Sequence, residues 1–480
     1  MKKVKNLILA ALTFILSFCM INTVFADNNG SIVVKETTAG KTYEIYKIFD
    51  LTYSDTKVAY TIDSDWINFF NNDGKEYIVD TNPSNLNQIT VDNAIKYINI
   101  TNDNIATFTQ KALAYATSKT ADKSAEAEGD TLTFENLELG YYLIYPKGAT
   151  NIKNTYGSIC SITSTVPTAE VNIKATYPTI TKDVDDQNVE VGQLVTFTIT
   201  GQVPDTTGYT TYTYEIKDTM SAGLELDSEL TEFTVKFGDT PITDVSPIYN
   251  DNGFTLTYDM TNYQAYKGQI ITITYKVKVT EEAIASDTTK NSATLTYSND
   301  PKDATKTTTT PPVEKKVYSS EINVIKVDAK NNETKLAGAS FVLKNAAGDF
   351  YQAIIIDGKL TDIEWVKDQT AATLLVTDET GIVTFGGIEN GTYYLVEVDA
   401  PEGYNKLAKP VTVKVGYSDE EGTTLGEVAV SHNEIIENNS GIALPITGGI
   451  GTKIFIGIGS LLTIVSAIIL ITNKRINKEN

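Results

Sequence analysis

The stretch Val195-Thr196-Phe197-Thr198-Ile199 sets the pattern for most of this chain, because apolar side chains alternate with threonine. Successive side chains of a β-strand point to opposite faces, so the alternation predicts a strand with one buried face. The same pattern recurs at residues 271–275 and 411–415, and Asp, Asn, Gly and Pro separate such runs. Short alternating strands divided by turn residues predict an all-β chain of tandem immunoglobulin-like β-sandwiches.

One region departs from the alternating pattern. Residues 92–117 place apolar side chains at near-helical spacing, which predicts one or two helices inserted in the first domain. The positions are Ala94, Ile95, Ile98, Ile105, Phe108, Ala112, Leu113 and Ala116.

Two stretches indicate domain boundaries. Tyr177-Pro178 opens a new strand, and residues 306–312 read Lys-Thr-Thr-Thr-Thr-Pro-Pro, which is typical of an extended, semi-rigid linker. Domains are therefore expected at 27–175, 176–312 and 313–437.

Both ends of the chain carry apolar segments with basic flanks. At the start, three lysines precede an apolar core that ends in Val24-Phe25-Ala26, the layout of a secretory signal peptide cut after Ala26. Near the other end, residues 450–472 have one charge, Lys453, are long enough for a membrane helix and precede basic residues. Residues 1–26 are thus expected to be a signal peptide, and the segment 438–480 to hold a transmembrane helix.

Composition excludes several classes of function. A net charge of −22, spread along the chain, makes nucleic acid an unexpected partner. His432 is the single histidine, so neither Ser-His-Asp nor Cys-His catalysis is expected, and no metal or cofactor site is predicted. The acidic run 183–188 lacks the glycine and distal glutamate of a calcium loop. Beyond the signal peptide Cys160 has no cysteine partner, so no disulfide supports the exported chain.

The pentapeptide Leu444-Pro445-Ile446-Thr447-Gly448 precedes the C-terminal apolar segment and its basic tail. The three parts together resemble the sorting signal of Gram-positive surface proteins, which sortases cleave between Thr and Gly. The resemblance implies that the acyl group of Thr447 is passed to an amine. An ordinary C-terminal membrane anchor is the alternative interpretation of the apolar segment.

Tyr145-Pro146-Lys147 follows an apolar strand in the first domain. Proline ends the hydrogen-bonded ladder and leaves the next residue free of the sheet. The tripeptide resembles the pilin motif of Gram-positive backbone pilins. The resemblance implies that Lys147 of one subunit attacks the sortase-bound Thr447 of another, and this head-to-tail linkage propagates as a fibre. The alternative is a plain surface lysine after a strand.

Residues 394–404 of the third domain read Tyr-Leu-Val-Glu-Val-Asp-Ala-Pro-Glu-Gly-Tyr. They resemble the glutamate box of collagen-adhesin B-type domains, although Val398 replaces the usual threonine. Upstream, Lys326 shares the apolar face of a strand with Ile322 and Val324. Burial favours a neutral lysine and a protonated carboxylic acid.

The glutamate-box resemblance implies an internal isopeptide bond between Lys326 and an asparagine of the last strand, with Glu397 as the assisting acid. Asn433 fits the family position. Alternation places it on the outer face, so a bulge at Ser431-His432 is expected to turn it inward. A salt bridge between Lys326 and Glu397 is the alternative to the bond.

The middle domain offers a second set. Lys182 shares the apolar face of the first strand with Ile180. Asp218 shares a face of a later strand with Tyr214 and Ile216, and Asn291 lies at the start of the last predicted strand. The sequence resembles the isopeptide-forming middle domains of pilins, which implies a Lys182–Asn291 bond assisted by Asp218. Glu215 is an alternative acid that faces the other way. Alignment of Tyr-Tyr-Leu at 141–143 of the first domain with Tyr-Tyr-Leu at 393–395 of the third puts Tyr145 at the position of Glu397. No internal bond is therefore expected in the first domain.

These resemblances identify the chain as the major shaft subunit of a sortase-assembled pilus that is secreted and finally attached to the cell wall. Expected partners are a class C pilus sortase, a housekeeping sortase, other copies of the chain, accessory pilins and peptidoglycan, with a host extracellular ligand as a further candidate. The alternative is a monomeric wall-anchored adhesin or accessory pilin, which would not need Lys147. A surface enzyme is disfavoured by the missing catalytic groups.

Overall fold

The computed structural model of the protein describes residues 29–441 except 55–56, 83–85, 102, 117, 150–158, 163–165, 174, 207, 227–231, 251 and 302. The predicted signal peptide and the predicted sorting signal, including Leu444, Pro445, Ile446, Thr447 and Gly448, lie outside these residues. Within the part that is described, no helix is both long enough and apolar enough to cross a membrane. The described strands form six sheets, which pair into three successive sandwiches.

The N-terminal sandwich contains strands β1 to β11. They are β1 Asn29–Lys35, β2 Thr42–Ser54, β3 Lys57–Ile62, β4 Ile78–Val79, β5 Gln88–Val91, β6 Ala94–Ile98, β7 Lys123–Glu126, β8 Thr131–Glu138, β9 Gly140–Pro146, β10 Ile159–Ile162 and β11 Thr168–Asn172. A sheet ordered β11-β1-β8 faces a sheet ordered β10-β9-β2-β3-β5-β6-β4, in which β7 also pairs with β2. Alternating residues such as Ile32, Val34, Ile45 and Ile144 fill the space between them.

Short helices cover the outer face of the larger sheet. They are α1 Ile67–Asn71, α2 Ile105–Ala116 and 3-10 turns at Ser64–Trp66 and Lys75–Tyr77. The predicted helix is therefore present over its second half, where Phe108 and Leu113 are buried. The helical prediction is wrong for β6, because Asp92 and Asn93 both adopt positive φ and form the two-residue turn of a β5–β6 hairpin.

The middle sandwich contains strands β12 to β23. They are β12 Thr181–Val184, β13 Leu194–Gln202, β14 Thr213–Met220, β15 Leu224–Glu225, β16 Thr234–Phe237, β17 Thr240–Pro241, β18 Ile248–Asn250, β19 Gly253–Asp259, β20 Ile270–Val279, β21 Lys290–Ser298, β22 Thr307–Thr309 and β23 Val313–Lys316, with 3-10 turns at Met260–Tyr266 and Glu281–Ala283. A sheet ordered β12-β13-β20-β16-β17 packs on one ordered β18-β19-β14-β21-β22. Because β22 and β23 both pair with β21, the stretch predicted as a linker is part of this sandwich.

The C-terminal sandwich contains strands β24 to β33. They are β24 Ser320–Asp328, β25 Asn331–Lys335, β26 Ser340–Lys344, β27 Phe350–Ile356, β28 Lys359–Val366, β29 Leu375–Val376, β30 Ile382–Ile388, β31 Gly391–Asp399, β32 Val411–Val415 and β33 Ser431–Asn438, with a 3-10 turn at Gln369–Ala371. One sheet is ordered β25-β24-β30 with β33 on β24, and the other β28-β27-β26-β31-β32. The first strand β24 and the last strand β33 are parallel neighbours. The predicted all-β fold of tandem sandwiches is confirmed.

The loop after β12 joins the middle and C-terminal sandwiches. Val191 is buried in the core of the C-terminal sandwich, and its N–H donates to the Gly387 carbonyl at 2.9 Å. Trp365 Nε1 donates to Glu190 Oε1 at 2.6 Å across the same contact. The two units therefore share apolar packing as well as polar bonds.

Candidate functional sites

The C-terminal sandwich buries a lysine, a carboxyl and an amide together. Lys326 Nζ donates to the Ile436 carbonyl at 2.9 Å and lies 3.9 Å from Glu397 Oε1. Glu397 Oε1 also accepts from Asn438 Nδ2 at 2.8 Å, and Glu397 Oε2 accepts from the Leu407 N–H at 2.7 Å. Lys326 and Asn438 come from the paired strands β24 and β33, and Glu397 from the opposite sheet.

The asparagine in this cluster is Asn438, which corrects the expectation that placed Asn433 there. Asn433 is exposed, because the pairing of β33 with β24 runs without a bulge from Glu321–Ser431 to Asp328–Asn438. Alternation therefore keeps Asn433 on the outer face and turns Ile436 and Asn438 inward. Asn438 is 1% exposed.

Burial shapes the chemistry of this cluster. It lowers the pKa of Lys326 to about 8, against the opposing effect of the Glu397 and Glu437 charges. A substantial fraction of the amine is then neutral and nucleophilic near physiological pH. No described group donates a hydrogen bond to Asn438 Oδ1, so the carbonyl is open to polarisation. The arrangement can support amide exchange between Lys326 and Asn438 with loss of ammonia.

The middle sandwich holds a second cluster across its core. Lys182 from β12 projects from one sheet, and its Nζ lies 2.5 Å from Asp218 Oδ2 of the facing sheet. Asn291 is the second residue of β21, which pairs with β14, the strand of Asp218, and it is fully buried. A bond between Lys182 and Asn291 would thus tie the two sheets together. Glu215 points to the other face of β14, where it accepts from Thr257 Oγ1.

Burial also governs the ionisation of the middle cluster. It lowers the pKa of Lys182, an effect that the nearby Asp218 charge only partly opposes. Burial raises the pKa of Asp218, with Lys182 acting in the opposite direction. Both directions favour a neutral amine facing a protonated acid.

Tyr275 is a member of this cluster that the sequence did not single out. Its hydroxyl accepts from Lys182 Nζ at 2.5 Å and from Asn291 Nδ2 at 3.0 Å, and donates to Asp218 Oδ2 at 2.6 Å. Its alternation with Ile271 and Ile273 shows that it faces the core. A tyrosine on an apolar face opposite a buried lysine is the signal that could have found it.

Lys147 lies just past the end of β9, but its backbone is not free of the sheet, contrary to the expectation after Pro146. Its N–H donates to the Thr42 carbonyl at 2.9 Å, and Gly148 then turns the chain with a φ of +78°. An added Cβ on Gly148 would lie 3.2 Å from the backbone of Asn299, so a side chain there would crowd the middle sandwich. Lys147 therefore sits where the N-terminal and middle sandwiches meet.

Two carboxylates from different sandwiches hold the Lys147 amine. Its Nζ lies 2.7 Å from Asp300 Oδ2 and 3.4 Å from Glu44 Oε1, and the side chain is 23% exposed. Burial acts to lower the pKa of Lys147, but the bond to Asp300 and the charge of Glu44 outweigh it, so the pKa is raised. Lys147 is thus a held, charged amine, unlike the two buried lysines.

Parts of the chain are similar to known proteins. Residues 320–428 match the SpaA prealbumin-like fold domain. An 83-residue stretch is 39% identical to fimbrial subunit type 1 of Actinomyces viscosus, and it covers 17% of this chain and 15% of that protein. The group B streptococcus pilus 2b backbone protein is 31% identical, with 55% of this chain and 99% of that chain covered and a TM-score of 0.44.

On its sequence identity over nearly all of that backbone protein, the chain belongs to the family of pilus backbone proteins. This membership assigns it a structural role in a cell-surface pilus. The T6 backbone pilin of Streptococcus pyogenes, described as a modular three-domain structure, shares the fold at 16% identity, with 82% of each chain covered and a TM-score of 0.51. Among the described residues of this backbone protein, no cluster of metal-ligating side chains is found.

Proposed function

We propose that the chain is the shaft subunit of a covalent pilus, in which a sortase joins Thr447 of one subunit to Lys147 of the next. The observation that carries the proposal is the position of Lys147. It stands just beyond the end of β9 with a partly exposed amine, and its backbone N–H is held by the Thr42 carbonyl at the start of β2. Membership of the pilus backbone family supports the same role. A class C pilus sortase would form the link, and a housekeeping sortase would attach the finished fibre to peptidoglycan.

Internal isopeptide bonds are the second part of the proposal. In each reaction a neutral lysine attacks the side-chain carbonyl carbon of asparagine, the new carbon–nitrogen bond forms, and the old one breaks as ammonia leaves. The pairs are Lys182 with Asn291, assisted by Asp218, and Lys326 with Asn438, assisted by Glu397. The C-terminal bond would join the first and last strands of its sandwich, β24 and β33, and the middle bond would join β12 to β21 of the facing sheet. Tension along a fibre would pass through these strands.

The test of polymerisation is Lys147→Ala in cells that assemble the pilus. Loss of the high-mass ladder on a denaturing gel, with monomer still exported, is the expected result. Lys367→Ala is the matched control, because Lys367 is a surface lysine whose side chain is 85% exposed. A ladder that persists in Lys147→Ala would overturn the proposed linkage and favour a wall-anchored monomer or a different linking lysine.

A further inference from the structure

We propose that Tyr275 is a catalytic residue of the middle sandwich, acting as a proton relay between Lys182, Asp218 and Asn291. The inference rests on the proposed isopeptide reaction and extends it to a fourth side chain. The sequence indicated only the amine of Lys182, the acid of Asp218 and the amide of Asn291. In the structure the Tyr275 hydroxyl hydrogen-bonds to all three of them.

The hydroxyl of Tyr275 is used to its full capacity. It has one proton to donate and two lone pairs to accept with. The proton goes to Asp218 Oδ2, and the lone pairs accept from Lys182 Nζ and Asn291 Nδ2. The oxygen therefore lies between the nitrogen that must lose a proton and the nitrogen that must gain one.

Proton transfer through this oxygen balances. As Nζ of Lys182 bonds to Cγ of Asn291, Tyr275 takes a proton from Nζ and passes its own proton to Asp218 Oδ2. The proton that Asp218 already carries moves to Nδ2, the Cγ–Nδ2 bond breaks and ammonia leaves. The net change is one proton moved from Nζ to Nδ2, and Tyr275 and Asp218 end as protonated as they began.

The surroundings suit such a relay. Burial raises the pKa of Tyr275 well above its usual range, so it carries its proton before the reaction. Asp218 Oδ1 and Asn291 Oδ1 receive no hydrogen bond from any described group, which leaves the acid and the carbonyl oxygen available to each other. The ring is fixed by Phe197 and Phe254, whose centroids lie 6.1 and 4.9 Å from its own.

The C-terminal cluster is built differently and provides an internal reference. Lys326 donates to a backbone carbonyl, and Asn438 donates directly to Glu397. No described tyrosine hydroxyl hydrogen-bonds to these three side chains. Removing the hydroxyl of Tyr275 should therefore affect one bond of the chain and leave the other intact.

The experiment measures the intact mass of the secreted form, residues 27–447. Folded protein is first selected by its resistance to protease, and its mass is then measured after denaturation. The wild-type chain should lack two ammonia molecules. Tyr275→Phe should lack one, with the remaining bond mapping to Lys326 and Asn438, because loss of acid–base catalysis slows the middle reaction roughly 100-fold or more. Tyr258→Phe is the matched control and should lack two, since Tyr258 is buried in the same core and no described group hydrogen-bonds to its hydroxyl.

Each outcome decides between the two proposals. A middle bond formed at the wild-type rate in Tyr275→Phe overturns the relay and leaves the isopeptide proposal standing. A wild-type chain without a Lys182–Asn291 bond overturns the middle reaction itself, and the relay with it. Tyr275→Met also lacks the hydroxyl and carries the same expectation if the phenylalanine variant does not fold.

Discussion

Lys326 and Lys182 show why a lysine would be placed inside a sandwich. A charged amine loses its hydration on burial, and the attraction of one carboxylate does not always offset that cost. Each lysine here lies close to a carboxyl group, and an amide hydrogen-bonds to a member of the same cluster, Glu397 in one case and Tyr275 in the other. Conversion of the amine and the amide into a secondary amide removes the ionisable amine altogether. At the scale of the residue, burial of the lysine is unfavourable for its charged form and favours the neutral, nucleophilic form. The proposed reaction then removes the amine whose burial is unfavourable.

The identity of the reacting amide can be tested at the same scale. Asn438→Ala should retain only the middle bond and lack one ammonia molecule instead of two, because Asn438 is the amide that contacts Glu397. Asn433→Ala is the control and should lack both, since Asn433 is exposed on the other face of β33. Intact mass after denaturation reads both variants. Two ammonia losses in Asn438→Ala would mean that another amide reacts.

At the scale of the element, most of the correct predictions of buried positions follow from the alternation of side chains along a strand. It correctly placed Lys326, Asp218 and Asn291 on buried faces, because a strand's period fixes which side chains turn inward. It also placed Asn433 outside, and the bulge invoked to move it does not occur. Residues 94–98 had helical spacing, but the turn at Asp92 and Asn93 made them a hairpin strand. Asp300 gave no signal, because its contact with Lys147 exists only between sandwiches.

The proposed bond between β24 and β33 should act as a clamp on two whole strands. Cross-linking Lys326 to Asn438 closes a loop of roughly 110 residues, which contributes about 4–5 kcal/mol by restricting the unfolded chain. Lys326→Met should lower the unfolding free energy of the C-terminal sandwich by about this amount and make it sensitive to protease. Denaturant unfolding measures the effect, with Lys367→Met as the control. Unchanged stability in Lys326→Met would contradict the clamp.

At the scale of the whole molecule, the Lys147–Asp300 contact makes the environment of the proposed linking amine depend on how two sandwiches pack. Asp300 helps to raise the pKa of Lys147, so removing its charge should increase the neutral, nucleophilic fraction. Asp300→Asn should therefore speed attack on a sortase-bound peptide that carries residues 444–447 and is held through the acyl group of Thr447, most strongly at neutral pH. The rate of ligation measures this, and Asp349→Asn, which removes a distant partner of Lys367, is the control. Slower ligation in Asp300→Asn would instead identify Asp300 as the base that takes the proton.

The contact between the middle and C-terminal sandwiches should depend on pH through Glu190. Burial and the charges of Glu389 and Asp362 raise its pKa to about 7, although the bond from Trp365 acts the other way. Its folded pKa exceeds the unfolded value, so the folded protein holds the extra proton, and stability falls as pH rises from about 4.5 to 7. Glu190→Gln carries no ionisable carboxyl at this position and should be more stable than wild type at pH 8, by about 3 kcal/mol at most, and similar to it near pH 4.5.

Fluorescence of Trp365 can follow the unfolding of this contact in a Trp66→Phe background, because the chain has two tryptophans. Glu364→Gln is the control, since it removes a neighbouring charge on β28 that does not accept the Trp365 bond. Equal stability of wild type and Glu190→Gln at pH 8 would show that the Glu190 carboxylate is solvated at this contact. The expected difference would instead mean that the middle and C-terminal sandwiches hold together more firmly in acid than at neutral pH.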